Sequence, residues 1–137
     1  MMQIYQGVDI VEISKFKKVF QRNSQLISDI FSNREIEYCF PMKNQYSHFA
    51  GRFAAKEAYL KALGGGLLGW GMHHIFQEIE IVPESSGKPM LSLSGWAAKI
   101  AKKRRITQFT VSISHSSNYA VATVIMAGNP KRKICVI

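Results

Sequence analysis

The run Arg52-Phe53-Ala54-Ala55-Lys56-Glu57-Ala58-Tyr59-Leu60-Lys61-Ala62-Leu63-Gly64-Gly65-Gly66 constrains this chain more than any other. Alanine, leucine, lysine and glutamate are strong helix formers, and the glycines end the pattern. Successive turns set Arg52 above Lys56 and Glu57 above Lys61. An isolated Glu to Lys pair at this spacing is a common solvent-exposed pair contributing about 0.2–0.5 kcal/mol. Here, however, Phe49, Phe53, Ala54, Tyr59, Leu60 and Leu63 make most of the circumference apolar. The helix is therefore expected to be largely buried, and its charges need partners or a ligand.

The flanking segments set the rest of the architecture. Ile4 to Ile13 reads as a strand centred on Gly7-Val8-Asp9-Ile10-Val11, with a carboxylate among β-branched neighbours. Ser14 is the expected cap of a helix reaching Arg22, with Phe16, Val19 and Phe20 inward and Lys15, Lys18 and Arg22 as a basic ridge. Ser32-Asn33-Arg34-Glu35 caps a further helix that runs towards Pro41. Ser47 or His48 opens the central helix, and the segment from Leu67 to Phe76 reads as a loop. Glu78–Val82 and Met90–Leu93 form a hairpin about the turn 83–89. Ser94 caps a helix with Trp96, Ala97, Ile100 and Ala101 inward and Lys99, Lys102, Lys103 and Arg105 outward. Phe109–Ser114 and Tyr119–Met126 form a second hairpin across His115-Ser116-Ser117-Asn118. The predicted fold is α+β, an antiparallel β-sheet with interspersed helices, in one domain over 1–128 followed by a basic tail over 129–137.

Composition narrows the function. A hydrophobic share of 47% excludes a disordered polyelectrolyte. No apolar run approaches the roughly 18 residues of a membrane span, so a cytoplasmic protein is expected. Cys39 and Cys135 are far apart and belong to no Cys/His cluster, which points to a reducing compartment without structural zinc. Lysine and arginine number 18 against nine acidic residues, a net charge of +9, so the partner or substrate is expected to be an anion.

Asp9 and Glu57 form a candidate oxygen-only site of the kind that suits Mg²⁺, which binds through one or two carboxylates plus substrate phosphates. His115 closes a strand and opens a polar turn, where sites tend to lie. Gly64, Gly65 and Gly66 let backbone amides approach a phosphate, although the P-loop and dinucleotide-binding spacings are both absent. His48, His73 and His74 have no supporting pattern and read as surface or loop residues.

Four ordered motifs, Gly7-Val8-Asp9-Ile10-Val11-Glu12-Ile13, Phe49-Ala50-Gly51-Arg52-Phe53-Ala54-Ala55-Lys56-Glu57-Ala58 through Lys61-Ala62-Leu63-Gly64, Ser86-Gly87-Lys88-Pro89 and Ser112-Ile113-Ser114-His115-Ser116, closely resemble the holo-[acyl-carrier-protein] synthases, the short bacterial-type 4′-phosphopantetheinyl transferases. The resemblance covers nearly the whole chain and stops near Met126. It implies transfer of 4′-phosphopantetheine from coenzyme A to a serine of an acidic acyl carrier protein, with release of adenosine 3′,5′-bisphosphate. It further implies that Asp9 and Glu57 bind Mg²⁺, that Lys61 faces the reacting phosphate, and that Glu57, Lys61 and His115 carry the chemistry. By the same resemblance Arg52, Lys56, Gly64, Gly65, Gly66, Gly87, Lys88, Pro89 and His115 surround coenzyme A. Lys15, Lys18 and Arg22 would dock the carrier, and a homotrimer would form with the site between subunits.

This sequence departs from the family at Gly65, where Thr or Ser is usual, at 70–76, and in the tail. The rival reading is a non-enzymatic nucleic-acid-binding domain, suggested by the charge and the two basic helix faces. That reading leaves Asp9, Glu57 and the glycines without a role, so neither a nucleic acid nor a membrane is the expected partner.

Overall fold

In the computed structural model β1 (Gln3–Glu12) runs without a break into α1 (Ile13–Arg22), and residues 1–64 and 74–130 are described. The expectations on Gly65, Gly66 and His73 and on most of the tail lie outside those residues. Ser14 does not cap α1. The N-cap is Glu12, without a side-chain cap bond, and the Ser14 hydroxyl donates to the Glu12 carboxylate at 3.2 Å. Val19, expected inward, is half exposed, and Ile13 joins Phe16 and Phe20 on the buried side instead.

α2 (Gln25–Ile30) and α3 (Asn33–Cys39) follow. The expected cap of α3 is a capping box, in which Ser32 Oγ accepts from the Glu35 amide and Glu35 Oε1 accepts from the Ser32 amide. α4 (Gln45–Leu63) opens slightly earlier than expected and buries eleven of its residues. It ends where Gly64 takes φ 100°, a conformation natural to glycine, while Arg104 donates to the Leu63 carbonyl at 2.6 Å.

α5 (Ile75–Glu78) is a short helical turn where a loop and the start of a strand were expected. β2 (Ile79–Pro83) and β3 (Pro89–Leu93) form the predicted hairpin. α6 (Gly95–Lys103) is capped from outside: the Glu78 carboxylate accepts from the Ala97 amide at 3.0 Å, and Ser94 makes no side-chain cap bond. This arrangement turns Trp96 outward, 54% exposed, whereas Ala97 and Ala101 are buried.

β4 (Ile106–His115) and β5 (Tyr119–Gly128) complete an antiparallel sheet of order β1-β5-β4, so the fold is α+β as predicted. Register fixes what faces what. Asp9 pairs with Ala122, and Ala122 with Ile113, so these three stand level across the sheet. Alternation then sends Tyr5, Gly7, Asp9 and Val11 towards α4, with Ala120, Ala122, Val124 and Met126 of β5 buried beside them. Gly7 is required there, because a Cβ would collide with the Ala58 carbonyl oxygen of α4. The opposite face leaves Ile4, Val8, Ile10, Tyr119 and Ile125 exposed. A second core, built on Phe16, Phe20, Phe31 and Phe49, joins α1 and the α2–α3 region to the first half of α4.

Candidate active site

Close contact between β1 and α4 creates the first functional cluster. Asp9 projects from β1 towards the helix, and Lys61 reaches back so that its Nζ donates to Asp9 Oδ1 at 2.8 Å. Lys61 is half exposed, Asp9 is nearly covered, and the bond to Asp9 raises the Lys61 pKa above the ordinary lysine value. Glu57 lies one turn before Lys61. Burial pushes its carboxyl above the usual range, the Asp9 charge pushes it further the same way, and Lys61 opposes them. Two carboxylates that repel each other beside a single cation form an oxygen-donor pair still short of positive charge. That arrangement fits a hard divalent cation that keeps waters and takes further ligands from a substrate phosphate. Among the described residues no group of three or more His, Cys, Asp and Glu gathers as a complete protein-only metal cage.

A second cluster lies on another side of α4. Tyr38, Ser47, His48, Gly51, Arg52, Pro83, Gly87, Pro89, Ile113 and His115 line a cavity of about 130 Å³. Four residues chosen from the sequence, Arg52, Gly87, Pro89 and His115, thus meet at one place. The guanidinium of Arg52 lies 4.2 Å over the Tyr38 ring, the residue is only 6% exposed, and its Nε has no hydrogen-bond partner among the described residues. Among the described residues no carboxylate lines this cavity, and Arg52 and His115 suit it as an anion pocket. Lys88, between Gly87 and Pro89, is not among the lining residues.

Lys56 is a correction. Expected to surround coenzyme A, it is fully buried, and its Nζ donates at 2.7 Å to Glu35 Oε1 and to the carbonyls of Phe76 and Ile79. All three ammonium protons are engaged, so none remains for a phosphate. Burial lowers its pKa and Glu35 opposes that shift. Glu35 also accepts from the Ile81 amide at 3.2 Å, which ties α3, α4 and β2 together. The expected stacking of Arg52 over Lys56 as two ligand cations therefore divides into one pocket residue and one interior residue.

His48 and Tyr38 complete the anion pocket, and the sequence pattern marked neither. The His48 ring centroid is 5.6 Å from that of His115 and 6.2 Å from that of Tyr38. The i, i+4 spacing of His48 and Arg52 was the available signal, but only the fold brings β4 and α3 to them. Cys39 is no nucleophile: burial pushes its thiol up to about 11. Lys15, Lys18 and Arg22 are exposed along α1, with Lys15 3.4 Å from Glu12.

A carboxylate–lysine cluster, a separate anion pocket and this α+β topology define a class. A sequence model of the 4′-phosphopantetheinyl transferase superfamily matches residues 6–124, and the chain belongs to that superfamily, a family of enzymes. Within it the chain sits with the holo-[acyl-carrier-protein] synthases. The one from Geotalea daltonii is 45% identical over 121 residues, which span 88% of this chain and 94% of the relative. A structure titled as an ACPS-CoA complex from Chronobacterium ammoniagenes superposes with TM-score 0.78 at 30% identity, over 93% of this chain and 98% of that one. The Helicobacter pylori holo-[acyl-carrier-protein] synthase in complex with coenzyme A gives TM-score 0.74 at 31% identity, over 88% and 98%. The non-enzymatic reading of the basic charge is thereby set aside. Among the described residues no helix is long and apolar enough to cross a membrane.

Proposed function

We propose that this protein transfers 4′-phosphopantetheine from coenzyme A to a serine hydroxyl of an acidic acyl carrier protein, releasing adenosine 3′,5′-bisphosphate, with Mg²⁺, in the cytoplasm. The observation that carries the reading is the meeting of Asp9, Glu57 and Lys61 across the β1–α4 contact. Asp9 and Glu57 would hold the magnesium ion, which when bound supplies positive charge to the diphosphate. Lys61, half exposed, adds a protein cation where negative charge grows on the phosphate oxygens as the phosphoanhydride breaks. Glu57, or a water held beside it, takes the serine proton.

The anion pocket takes the adenosine end of coenzyme A through Arg52 and His115, with Gly87 and Pro89 as a wall. Asp9 and pocket residue Ile113 stand level on strands at opposite edges of the sheet, on the same face, with α4 packed between them. The resemblance to the holo-[acyl-carrier-protein] synthases implies a site between subunits, which here would hold one molecule of coenzyme A between the Asp9 edge of one copy and the His115 edge of the next. The exposed apolar face carrying Val8, Ile10 and Ile125 supports burial between copies, and the homotrimer that the resemblance implies is the assembly we propose. Lys15, Lys18 and Arg22 lie just beyond Asp9 along the chain, which suits them to steer an acidic carrier towards the same site.

The test is the intact mass of an apo carrier protein incubated with coenzyme A, Mg²⁺ and this protein. A gain of one phosphopantetheine group, lost with Asp9→Ala and Glu57→Ala variants that keep the native circular dichroism, is the expected result. Modification that proceeds equally with either variant would refute the assignment of the centre.

A further inference from the structure

The anion pocket contains one group that the transfer reaction leaves without a role. His48 shares a side of α4 with Arg52 one turn later and stands between the rings of Tyr38 and His115. Among the described residues the charged and titratable groups that line the pocket beside it are Tyr38 from α3, Arg52 from α4 and His115 from the end of β4. None is a carboxylate. Arg52, more than nine-tenths buried and with an Nε unpartnered among the described residues, marks the cavity as built to receive an anion. Burial first, then the charge of Arg52 and the neighbouring His115, hold His48 below the ordinary histidine value and so favour its neutral form. A dianion entering the cavity reverses that balance, because it attracts the imidazolium that Arg52 repels.

We infer that His48 is a proton-linked specificity residue: it gains a proton from solvent as a phosphate monoester enters the pocket, and so favours a ligand that carries one. The inference rests on coenzyme A as substrate. The bridging diphosphate of that molecule has no ionisation near neutral pH, whereas its 3′-phosphate is a monoester with a second pKa of about 6. The proton-linked group is thus matched to the 3′-phosphate and not to the reacting centre. Affinity should rise as pH falls from about 7.5 towards 6.5, by up to about tenfold per pH unit where one full proton is taken up. Below about pH 6 the ligand's own protonation weakens the effect.

The experiment is calorimetric titration of the protein, without carrier, with coenzyme A and with 3′-dephospho-coenzyme A in buffers of different ionisation enthalpy. Proton uptake is expected with coenzyme A and not with the dephospho compound. His48→Phe, which keeps a ring against Tyr38 and His115, should lose most of that uptake, flatten the pH dependence and narrow the preference for coenzyme A. The His48 ring resonances of the unmodified protein supply an independent readout that needs no variant, and their titration midpoint should move up when coenzyme A is added. Equal proton uptake by the protein and by His48→Phe, or an unmoved His48 midpoint, overturns the inference while leaving the proposed transfer intact. Failure of the unmodified protein to bind either ligand overturns the substrate reading and this inference with it.

Discussion

Lys61 separates a catalytic from a structural explanation of the central helix most sharply. Its ion pair with Asp9 is half exposed, so the pair adds little to stability, whereas a cation on the reacting phosphate would stabilise the transition state by about 2–4 kcal/mol. Lys61→Met should lower kcat by about 10²–10³ with a small change in Tm, as read by transfer assay and thermal melt. Normal turnover in a variant that melts several degrees lower would make the lysine structural.

Glu57 allows a test in the opposite sense. Its folded pKa lies above the unfolded value, so protonation favours the native state. The associated stability is complete below the unfolded carboxylate value of about 4.3 and is lost as pH rises through the folded value. In chelator-treated protein Glu57→Gln should therefore raise Tm at pH 7 and lose that advantage towards pH 4. Added Mg²⁺ should raise the Tm of the unmodified protein much more than that of the variant. A variant less stable at pH 7 than its parent would show that Glu57 is not held against repulsion. Asp9 and Glu57 were legible in the sequence because a carboxylate among apolar neighbours needs a counter-charge. Lys56 was misread for the same reason, since its counter-charge, Glu35, lies on another helix and no helical spacing reveals it.

Among the elements, α4 was read well because its residues signal at short range: strong helix formers throughout, then a glycine at the end. The ends of α1 and α6 were read less well. Ser14 and Ser94 looked like caps, yet the chain reaches α1 directly from a strand, and α6 is capped by Glu78 from the end of α5, across the β2–β3 hairpin. Trp96 consequently faces outward, a position that periodicity within α6 alone could not reveal. The basic ridge of α1 lies on the side opposite Phe16 and Phe20, so it can be altered without touching the core. Lys15→Glu combined with Arg22→Glu should raise KM for the carrier protein by about tenfold or more and leave KM for coenzyme A nearly unchanged. Equal effects on the two substrates would place the carrier elsewhere.

At the scale of the whole molecule the sheet order β1-β5-β4 has the largest consequence. It separates the carboxylate centre and the anion pocket onto opposite edges, although both depend on α4. Sequence order gave no hint of this, because Arg52 and Glu57 are near neighbours in the chain. Their five-residue offset turns them to different sides of the helix. In the proposed assembly the two half-sites of one catalytic centre come from different copies. The direct test is to mix Asp9→Ala with His115→Glu, each inactive alone, by unfolding and refolding the two together in equal amounts, and to follow carrier modification by mass. In a cyclic assembly about a quarter of the interfaces then pair an intact Asp9 edge with an intact His115 edge, so about a quarter of the parental activity should return. No recovery from a mixture that has reassembled into oligomers would show that each copy works alone, contradicting the account.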